Sequence, residues 1–326
     1  MQGKESPVKG AETEVYAGID VCKAWLDVHI HPAGQDFRVA NTGKGIKRLG
    51  KQLAAAKVHA VVMEATGKYH RDAHKALCAK DFAVAVVNPL RARLFAEAGG
   101  MLAKTDRLDA RCLALMGAKL KPEATPPMPE RLELLQELMR TRQSVVDSTT
   151  ACRNRLGEAK AAFVRKLIER QIEQLEAACA KLEAEIKDRI ADDPVLARRY
   201  QIALSIPGVG PVAAWWPIAR LPELGSCNAK QAAMMAGLAP LACDSGQKKG
   251  VRKIRSGRAD LRRGIYMAAL AATRCNPPLR AFYQRLTSAA KGHRLALTGV
   301  MRKLVVLANT LLCQNRLWLP SAPENA

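Results

Sequence analysis

The chain is short of acidic residues and of aromatic residues. Its 326 residues hold 30 Asp and Glu against 52 Lys and Arg, a formal net charge of +22, and aromatic residues make up only 4%. An excess of positive charge this large favours a polyanionic partner, most often nucleic acid. The low aromatic content indicates that charge, rather than extensive base stacking, dominates such contacts.

Membrane spans, secretion signals and cysteine frameworks are also missing. No run of 18 or more apolar residues occurs, so we expect no membrane span. The N-terminus lacks the apolar core of a secretory signal. No C-x-x-C pair occurs among the nine cysteines, which argues against a zinc or disulfide framework. We therefore expect a cytoplasmic protein with reduced, mostly buried thiols.

Four carboxylates stand out against this basic background. Asp20 ends the apolar stretch 15–20, and Glu64 ends the apolar stretch 58–64. A carboxylate at the tip of a buried strand is costly unless it is paired or binds a metal. Asp106 and Asp109 are three residues apart, so a helix would place them on one face. The four together predict a site for Mg²⁺, with two ions per active site, of the kind used in phosphoryl transfer.

Residues 14–120 have a mixed α/β pattern. Three early strands are followed by strands that alternate with helices, which predicts a mixed sheet with helices on its faces. The order matches a ribonuclease-H-like core by analogy. The candidate strands are 15–21, 25–31, 36–41, 58–63 and 82–87, and the candidate helices are 44–56, 69–79, 90–98 and 106–118.

The rest of the chain divides by composition. Residues 1–13 are predicted to be a flexible tail, and four prolines within 121–129 indicate a linker. Residues 130–195 are predicted to be helical, with an apolar heptad seam. The seam is either one arm of an antiparallel helical hairpin within a monomer or a dimerisation coiled coil. It consists of Ile168, Ile172, Leu175, Cys179, Leu182 and Ile186.

Residues 196–326 carry most of the excess charge, with 20 Lys and Arg against 4 Asp and Glu. The pattern there predicts mainly short helices. The sequence around Gly208 and Gly210 resembles the hairpin of a helix-hairpin-helix element, in which glycine lets the backbone approach DNA. The alternative is a plain tight turn between packed helices.

A basic, glycine-containing segment follows at 243–258. Residues 247–263 include eight basic residues and one acid. Like charges in a loop repel one another, so a polyanion is their natural counterpart, although a solvated basic surface is the alternative. By local charge density, the candidate phosphate-binding residues are Lys248, Lys249, Arg252, Lys253 and Arg258.

Ser245 precedes these basic residues and is a candidate nucleophile. A serine hydroxyl needs activation, and cationic neighbours would stabilise the charge that develops during its attack on a phosphate. Most loop serines only form local hydrogen bonds. Ser205, Ser226 and Ser256 are competing candidates on residue chemistry alone.

Seven motifs in order resemble one family, the DEDD transposases of insertion-sequence family one-ten. These are RNA-guided bridge recombinases similar to the pilin-gene invertase Piv, and the resemblance covers about residues 14 to 315. The motifs are Gly18-Ile19-Asp20, Glu64-Ala65-Thr66-Gly67, Asn88-Pro89, Lys104-Thr105-Asp106 with Asp109-Ala110, Ile206-Pro207-Gly208-Val209-Gly210, Ala236-Gly237-Leu238-Ala239-Pro240 and Ser245-Gly246. The family often has Ile-Ser-Lys before the glycine of its basic loop, whereas this chain has Ile254-Arg255-Ser256-Gly257.

The resemblance implies a bacterial protein that is associated with the nucleoid when bound to DNA. It also implies a RuvC-like N-terminal domain with Asp20, Glu64, Asp106 and Asp109 as Mg²⁺ ligands. It implies a C-terminal transposase domain in which Ser245 becomes covalently attached to DNA. A structured noncoding bridge RNA would pair with both donor and target DNA. The active form would be a dimer or tetramer whose composite active sites take the RuvC-like domain and the serine from different protomers.

Two other functions are compatible with the residues. A structure-specific nuclease of the junction-resolvase type would use the four carboxylates and water, with no need of Ser245. A basic architectural protein that binds DNA or RNA would need neither set, and the presence of all four carboxylates argues against it.

Overall fold

The computed structural model describes residues 14–101, 106–242, 244–246, 250–254, 257 and 259–320. The chain forms two compact units, Met1–Met128 and Pro129–Ala326. The division falls within the proline-rich segment 121–129. The segment is not a free tether, because Thr125 donates its backbone N–H to the Val84 carbonyl over 2.7 Å and so lies along β5, the strand defined below.

The N-terminal unit is built on a five-stranded mixed sheet. The strand order is β3-β2-β1-β4-β5, in which β1, β2 and β3 are antiparallel and β1, β4 and β5 are parallel. The predicted mixed sheet is confirmed, and every predicted boundary lies within two residues of the observed one. The elements are β1 (Tyr16–Val21), β2 (Trp25–His31), β3 (Gln35–Ala40), α1 (Gly43–Ala55), β4 (Ala60–Glu64), α2 (Arg71–Cys78), β5 (Ala83–Val87), α3 (Pro89–Ala98) and α4 (Asp106–Leu120).

Helix α4 lies directly against the backbone of β1. A Cβ atom added at Gly18 would lie 2.0 Å from the Ala110 carbonyl oxygen and 2.3 Å from the Ala114 nitrogen. No side chain can be accommodated at that distance, so only glycine permits this contact. The other face of the sheet is covered by apolar side chains of α1 and α2, including Leu49 and Leu77.

The C-terminal unit is helical apart from two short strands. Its elements are α5 (Glu130–Glu158), α6 (Ala162–Ala191), α7 (Pro194–Leu204), α8 (Pro211–Ala214), α9 (Trp216–Ala219), α10 (Ala229–Met235), β6 (Pro240–Leu241), β7 (Lys253–Ile254), α11 (Ala259–Cys275), α12 (Pro277–Ser288) and α13 (His293–Cys313). The expectation of mainly short helices after residue 196 is wrong for α11 and α13, which have 17 and 21 residues. Both are long because they form the core of this unit.

The two long helices α5 and α6 pack on each other in antiparallel fashion. Arg142 pairs with Glu183 at 2.6 Å, and Arg153 pairs with Glu176 at 2.6 Å. The seam of α6 is therefore in contact with α5 of the same chain, as in the hairpin alternative. Most seam positions are only half-buried by this contact, and Ile186 alone among them is fully buried.

Helix α13 is long and apolar enough to cross a membrane by length and composition, although the sequence predicts no span. Half of its most apolar window is buried inside the unit. Its side chains, including Val300, Leu304 and Leu311, belong to the core that also contains α11. Its hydropathy is therefore explained by core packing.

The prediction that the cysteines are mostly buried is wrong. Of the eight cysteines in the described part of the chain, all free, only Cys112 and Cys152 are buried. Cys22 lies in a turn, and Cys275 and Cys313 are the last residues of their helices, where side chains meet solvent.

The contact at Gly18 generates a prediction about stability. We expect Gly18→Val to lower the free energy of unfolding of the N-terminal unit by about 3 kcal/mol or more, because the clash is with backbone atoms that cannot move aside. Amide hydrogen exchange of β1 and α4 measures this. Gly43→Ala is the control, since an added Cβ there meets nothing within 4 Å. Equal protection in Gly18→Val and wild type would contradict the close packing.

Candidate active site

Two of the predicted carboxylates end neighbouring parallel strands. Ile19 of β1 lies opposite Met63 of β4, so the next residues, Asp20 and Glu64, are side by side at the carboxyl edge of the sheet. Asp20 accepts the backbone N–H of Val21 through Oδ1 at 2.9 Å, which fixes one of its oxygens. Both side chains are half-buried.

The third carboxylate reaches the same place from helix α4. Asp109 precedes Ala110, whose carbonyl touches Gly18, and Gly18 is two residues before Asp20. Asp20, Glu64 and Asp109 all line one cleft of about 910 Å³. The fourth, Asp106, is the first residue of α4, and its side chain lies outside the described part of the structure.

Helix α3 forms the facing wall of this cleft. The Asn88 side chain accepts the Leu90 N–H and caps the helix, and Pro89 occupies its first turn. Arg93 is the one cation among the described residues that line the cleft, and its Nε donates to Glu97 at 2.9 Å. Sequence reasoning found the strand at 82–87 and the helix at 90–98 but did not identify this wall as part of the site.

The pKa of Cys112, which lies one helical turn after Asp109, responds to the negative charge of the cleft. Burial raises the pKa of the Cys112 thiol, and the negative charges of Asp109 and Glu64 raise it further. The thiol therefore stays protonated and uncharged at neutral pH. The same field that acts on Cys112 makes the cleft attractive to a cation and repulsive to an unaccompanied phosphate.

An ion pair between a buried aspartate and a half-exposed arginine lies beside Asp20. Asp27 of β2 is the cross-strand partner of Asp20 and is buried. Arg38 of β3 binds Asp27 with two hydrogen bonds, Nε to Oδ1 at 2.7 Å and Nη2 to Oδ2 at 2.9 Å. This pairing neutralises a carboxylate that would otherwise stand next to Asp20 without compensation. The pair was not predicted from the sequence. Its only signal there was the alternation of side chains between the two faces of the predicted strands across 25–40.

The donor set fits a divalent cation of the hard, oxygen-binding kind. Every acidic group that lines the cleft contributes only carboxylate oxygens. Among the described side chains, no three Asp, Glu, His or Cys residues are gathered closely enough to hold one ion. Asp20, Glu64 and Asp109 therefore share the cleft without forming a closed cage.

Ser245 lies in the C-terminal unit. It is exposed, between β6 and β7, and is followed by Gly246 at φ +54° in a turn. The neighbouring Asp244 accepts the Gly250 N–H through Oδ1 at 3.0 Å. This hydrogen bond joins the two sides of the loop. The predicted loop is thus a ribbon in which Pro240 and Leu241 pair with Ile254 and Lys253.

The predicted nucleic-acid-binding residues are only partly described. Arg252 and Lys253 are exposed, while Lys248, Lys249 and Arg258 lie outside the described residues. Gly208 has φ +97°, and a Cβ there would lie 2.6 Å from Ala272, so the hairpin is packed tightly on α11. Gly210 meets nothing within 4 Å and lines a pocket of about 570 Å³ in the C-terminal unit.

Comparison with known proteins identifies the family. Residues 17–159 match the DEDD transposase family of IS110 type, and residues 200–284 match the transposase IS116/IS110/IS902 family. The chain belongs to this transposase family. It is 28% identical over 317 residues to the pilin gene-inverting protein of Moraxella bovis, which covers 93% of this chain and 97% of that protein.

Two further relatives support the same assignment. The pilin gene-inverting protein of Moraxella lacunata is 28% identical over 324 residues, covering 93% of this chain and 97% of that protein. A 42 kDa protein of insertion element IS900 from Mycobacterium paratuberculosis is 28% identical over 174 residues, covering 52% of this chain and 42% of that protein.

Membership establishes the coarse function. The chain is an enzyme of DNA recombination, a transposase, and its substrate class is DNA. The DEDD domain has a RuvC-like fold, so the predicted fold of the N-terminal unit is confirmed, and such domains use a divalent metal. DNA is therefore a polyanionic partner of the kind that the net positive charge of the sequence indicates.

The cleft generates a prediction about cation binding. Because Asp20 and Glu64 lie side by side, we expect Asp20→Asn and Glu64→Gln each to weaken Mg²⁺ or Mn²⁺ binding at least about tenfold, measured by titration calorimetry without DNA. Glu97→Gln is the matched control, because it removes one negative charge from the opposite wall of the same cleft. Equal weakening by all three variants would mean that the cleft attracts cations only through its net charge.

Proposed function

We propose that this transposase cuts and rejoins donor and target DNA through a covalent serine-DNA intermediate, with Mg²⁺ held by Asp20, Glu64, Asp106 and Asp109 and with Ser245 as the nucleophile. The observation that carries the proposal is the shared cleft of Asp20, Glu64 and Asp109 at the carboxyl edge of the sheet. The exposure of Ser245 on the β6–β7 ribbon supports its role, because a nucleophile must reach the phosphate.

The serine step conserves the phosphodiester bond energy. The Ser245 oxygen attacks phosphorus and forms an O–P bond, while the bond from phosphorus to the leaving DNA oxygen breaks. The serine proton passes to a base or to water, and the leaving DNA oxygen takes up a proton. A free hydroxyl of another DNA strand then loses its proton and attacks the phosphoserine, and the new O–P bond joins the strands. The bond from phosphorus to Ser245 breaks, and the serine oxygen takes up a proton.

Charge explains why the carboxylate cleft suits this chemistry only with a cation present. Asp20, Glu64 and Asp109 would hold a divalent cation there, which would supply positive charge to polarise the scissile phosphate and favour loss of the serine proton. Arg93, on the wall facing the carboxylates, is placed to donate to a non-bridging phosphate oxygen once Glu97 releases it. The exposed Arg252 and Lys253 contact the DNA backbone near the nucleophile.

A guide RNA and an oligomer belong to the same proposal. Both rest on the family resemblance of the motifs, and the net charge of +22 supports a large nucleic-acid partner. The part of the α6 seam that α5 leaves uncovered supports association between copies, first as a dimer and then as a tetramer on DNA. In that assembly the N-terminal domain (14–120), the helical region (130–195) and the basic domain (196–326) provide cation binding, association and the serine, respectively.

One other enzymatic function has an observation in its favour. The carboxylate cleft lies within the N-terminal unit, and Asp20, Glu64 and Asp109, which line it, are groups that a water-dependent nuclease would use. A structure-specific nuclease would therefore work without Ser245. A purely architectural DNA-binding role leaves the carboxylates unexplained.

The proposal predicts a denaturant-resistant protein-DNA adduct. Full-length protein is incubated with Mg²⁺, RNA transcribed from the flanks of the element, and labelled donor and target DNA. We expect an adduct that requires RNA and Mg²⁺, disappears with Ser245→Ala, and forms at least about a thousandfold more slowly with Asp20→Ala.

Ser226→Ala is the control for the adduct, since Ser226 is a serine of the same unit whose hydroxyl donates locally to the Glu223 carbonyl. It should leave the adduct unchanged. Cleaved DNA without an adduct, unaffected by Ser245→Ala and abolished by Asp20→Ala, would replace the proposal with the nuclease. Binding without cleavage under every condition would favour the architectural role.

A further inference from the structure

Two large aromatic side chains are exposed at the catalytic edge of the N-terminal unit. Trp25 is 46% exposed and Tyr69 is 37% exposed, in a chain with only 4% aromatic residues. The other tryptophans are sequestered, with Trp215 at 1%, Trp216 at 4% and Trp318 half-buried. An exposed indole has lost the stabilisation that burial would give it, so its position at an active edge requires an explanation.

Trp25 lies on the same sheet face as the catalytic carboxylate. Asp27 is the cross-strand partner of Asp20, so both side chains project from one face. Trp25 is two residues before Asp27 on β2, which places the indole on that face as well, toward the carboxyl end of β1. Trp25 therefore lies on the same sheet face as Asp20, two residues further along the strand direction of β1.

Tyr69 follows the other catalytic strand. Thr66, two residues after Glu64, lines the carboxylate cleft. The Tyr69 N–H donates to the Thr66 carbonyl at 3.1 Å, and Gly67, at φ +50°, permits the turn between them. Tyr69 is thus held one short turn away from the lining of the cleft.

Asn41 joins the two aromatic segments. Its side-chain nitrogen donates to the Cys22 carbonyl at 2.9 Å and to the Tyr69 carbonyl at 3.0 Å. Cys22 in turn donates its N–H to the Trp25 carbonyl at 3.0 Å. One amide therefore fixes both backbones, so the two rings are presented from a connected and preorganised edge.

Each ring has an exposed lysine close to it in the sequence. Lys23 and Lys68 are exposed and lie within two residues of Trp25 and Tyr69, respectively. Exposed aromatic rings interleaved with lysine are suited to nucleic acid, since bases stack on the rings while the ammonium groups meet phosphates. A protein partner or a membrane surface would call for a larger continuous apolar patch.

We propose that Trp25 and Tyr69 form a stacking platform for unpaired nucleobases of the strand that enters the carboxylate cleft. This inference rests on the proposed function for the identity of that strand. The platform holds bases next to the scissile phosphate out of the duplex, so that the phosphate stays at the carboxylates. It adds a base-contacting surface to a protein whose other contacts are dominated by charge.

Fluorescence tests the platform without any recombination reaction. The probe is a short single-stranded oligothymidylate in Ca²⁺ buffer without RNA or duplex DNA, compared with an abasic strand of equal length and charge. We expect the thymidylate to quench tryptophan emission and the abasic strand to do so far less, because Trp25 is the exposed tryptophan among the four. Trp25→Ala and Tyr69→Ala should each weaken thymidylate binding about fivefold or more.

Three controls separate stacking from folding and from charge. Trp25→Phe keeps a ring and should retain most of the affinity. Tyr266→Ala removes an aromatic side chain of equal exposure, 46%, from α11 and should bind as wild type does. The salt dependence of binding should be unchanged in Trp25→Ala, because no phosphate contact is lost.

The platform is overturned if thymidylate and abasic strands bind and quench alike, or if Trp25→Ala and Tyr69→Ala bind thymidylate as tightly as wild type does. These outcomes are independent of serine chemistry. If the protein binds bases at Trp25 and Tyr69 but never forms an adduct, the recombinase proposal fails and the platform proposal stands.

Discussion

The contact between Gly18 and helix α4 is the constraint on which the rest of the N-terminal unit depends. Because the Ala110 carbonyl takes the space of a Cβ at residue 18, the helix backbone lies directly on β1. That approach brings Asp109 to the edge where Asp20 and Glu64 already stand side by side on parallel strands. The carboxylates therefore meet through backbone geometry set by one glycine.

The carboxylate edge also determines what surrounds it. Burial, and then the negative charge of Asp109 and Glu64, raise the pKa of Cys112. Arg38 pairs with the adjacent Asp27, and among the described lining residues one arginine, on α3, faces the carboxylates. Such a cleft accepts a phosphodiester only together with cations. We propose that the strongly basic C-terminal unit and the exposed rings at residues 25 and 69 supply the nucleic-acid contacts that the cleft itself cannot.

Much of this arrangement could be predicted from the sequence. Alternating apolar stretches located all five strands of the sheet, and the motifs identified the family. The wall formed by α3, the Asp27–Arg38 pair and the link through Asn41 were not predicted, because each joins residues whose proximity is set only by strand order or by tertiary packing. Local periodicity also could not reveal that α11 and α13 would lengthen to form a core, or that three cysteines would lie at exposed turns and helix ends.

The central claim is that the carboxylate edge holds the cation that acts on DNA. Replacing Mg²⁺ with Fe²⁺ and generating hydroxyl radicals cuts polypeptide and DNA next to the bound ion, and mass spectrometry maps the protein cuts. The account predicts cuts near Asp20, Glu64 and Asp109, lost in Asp20→Asn, together with DNA cuts at the recombination site. Diffuse cuts, or cuts confined to the C-terminal unit, would contradict it.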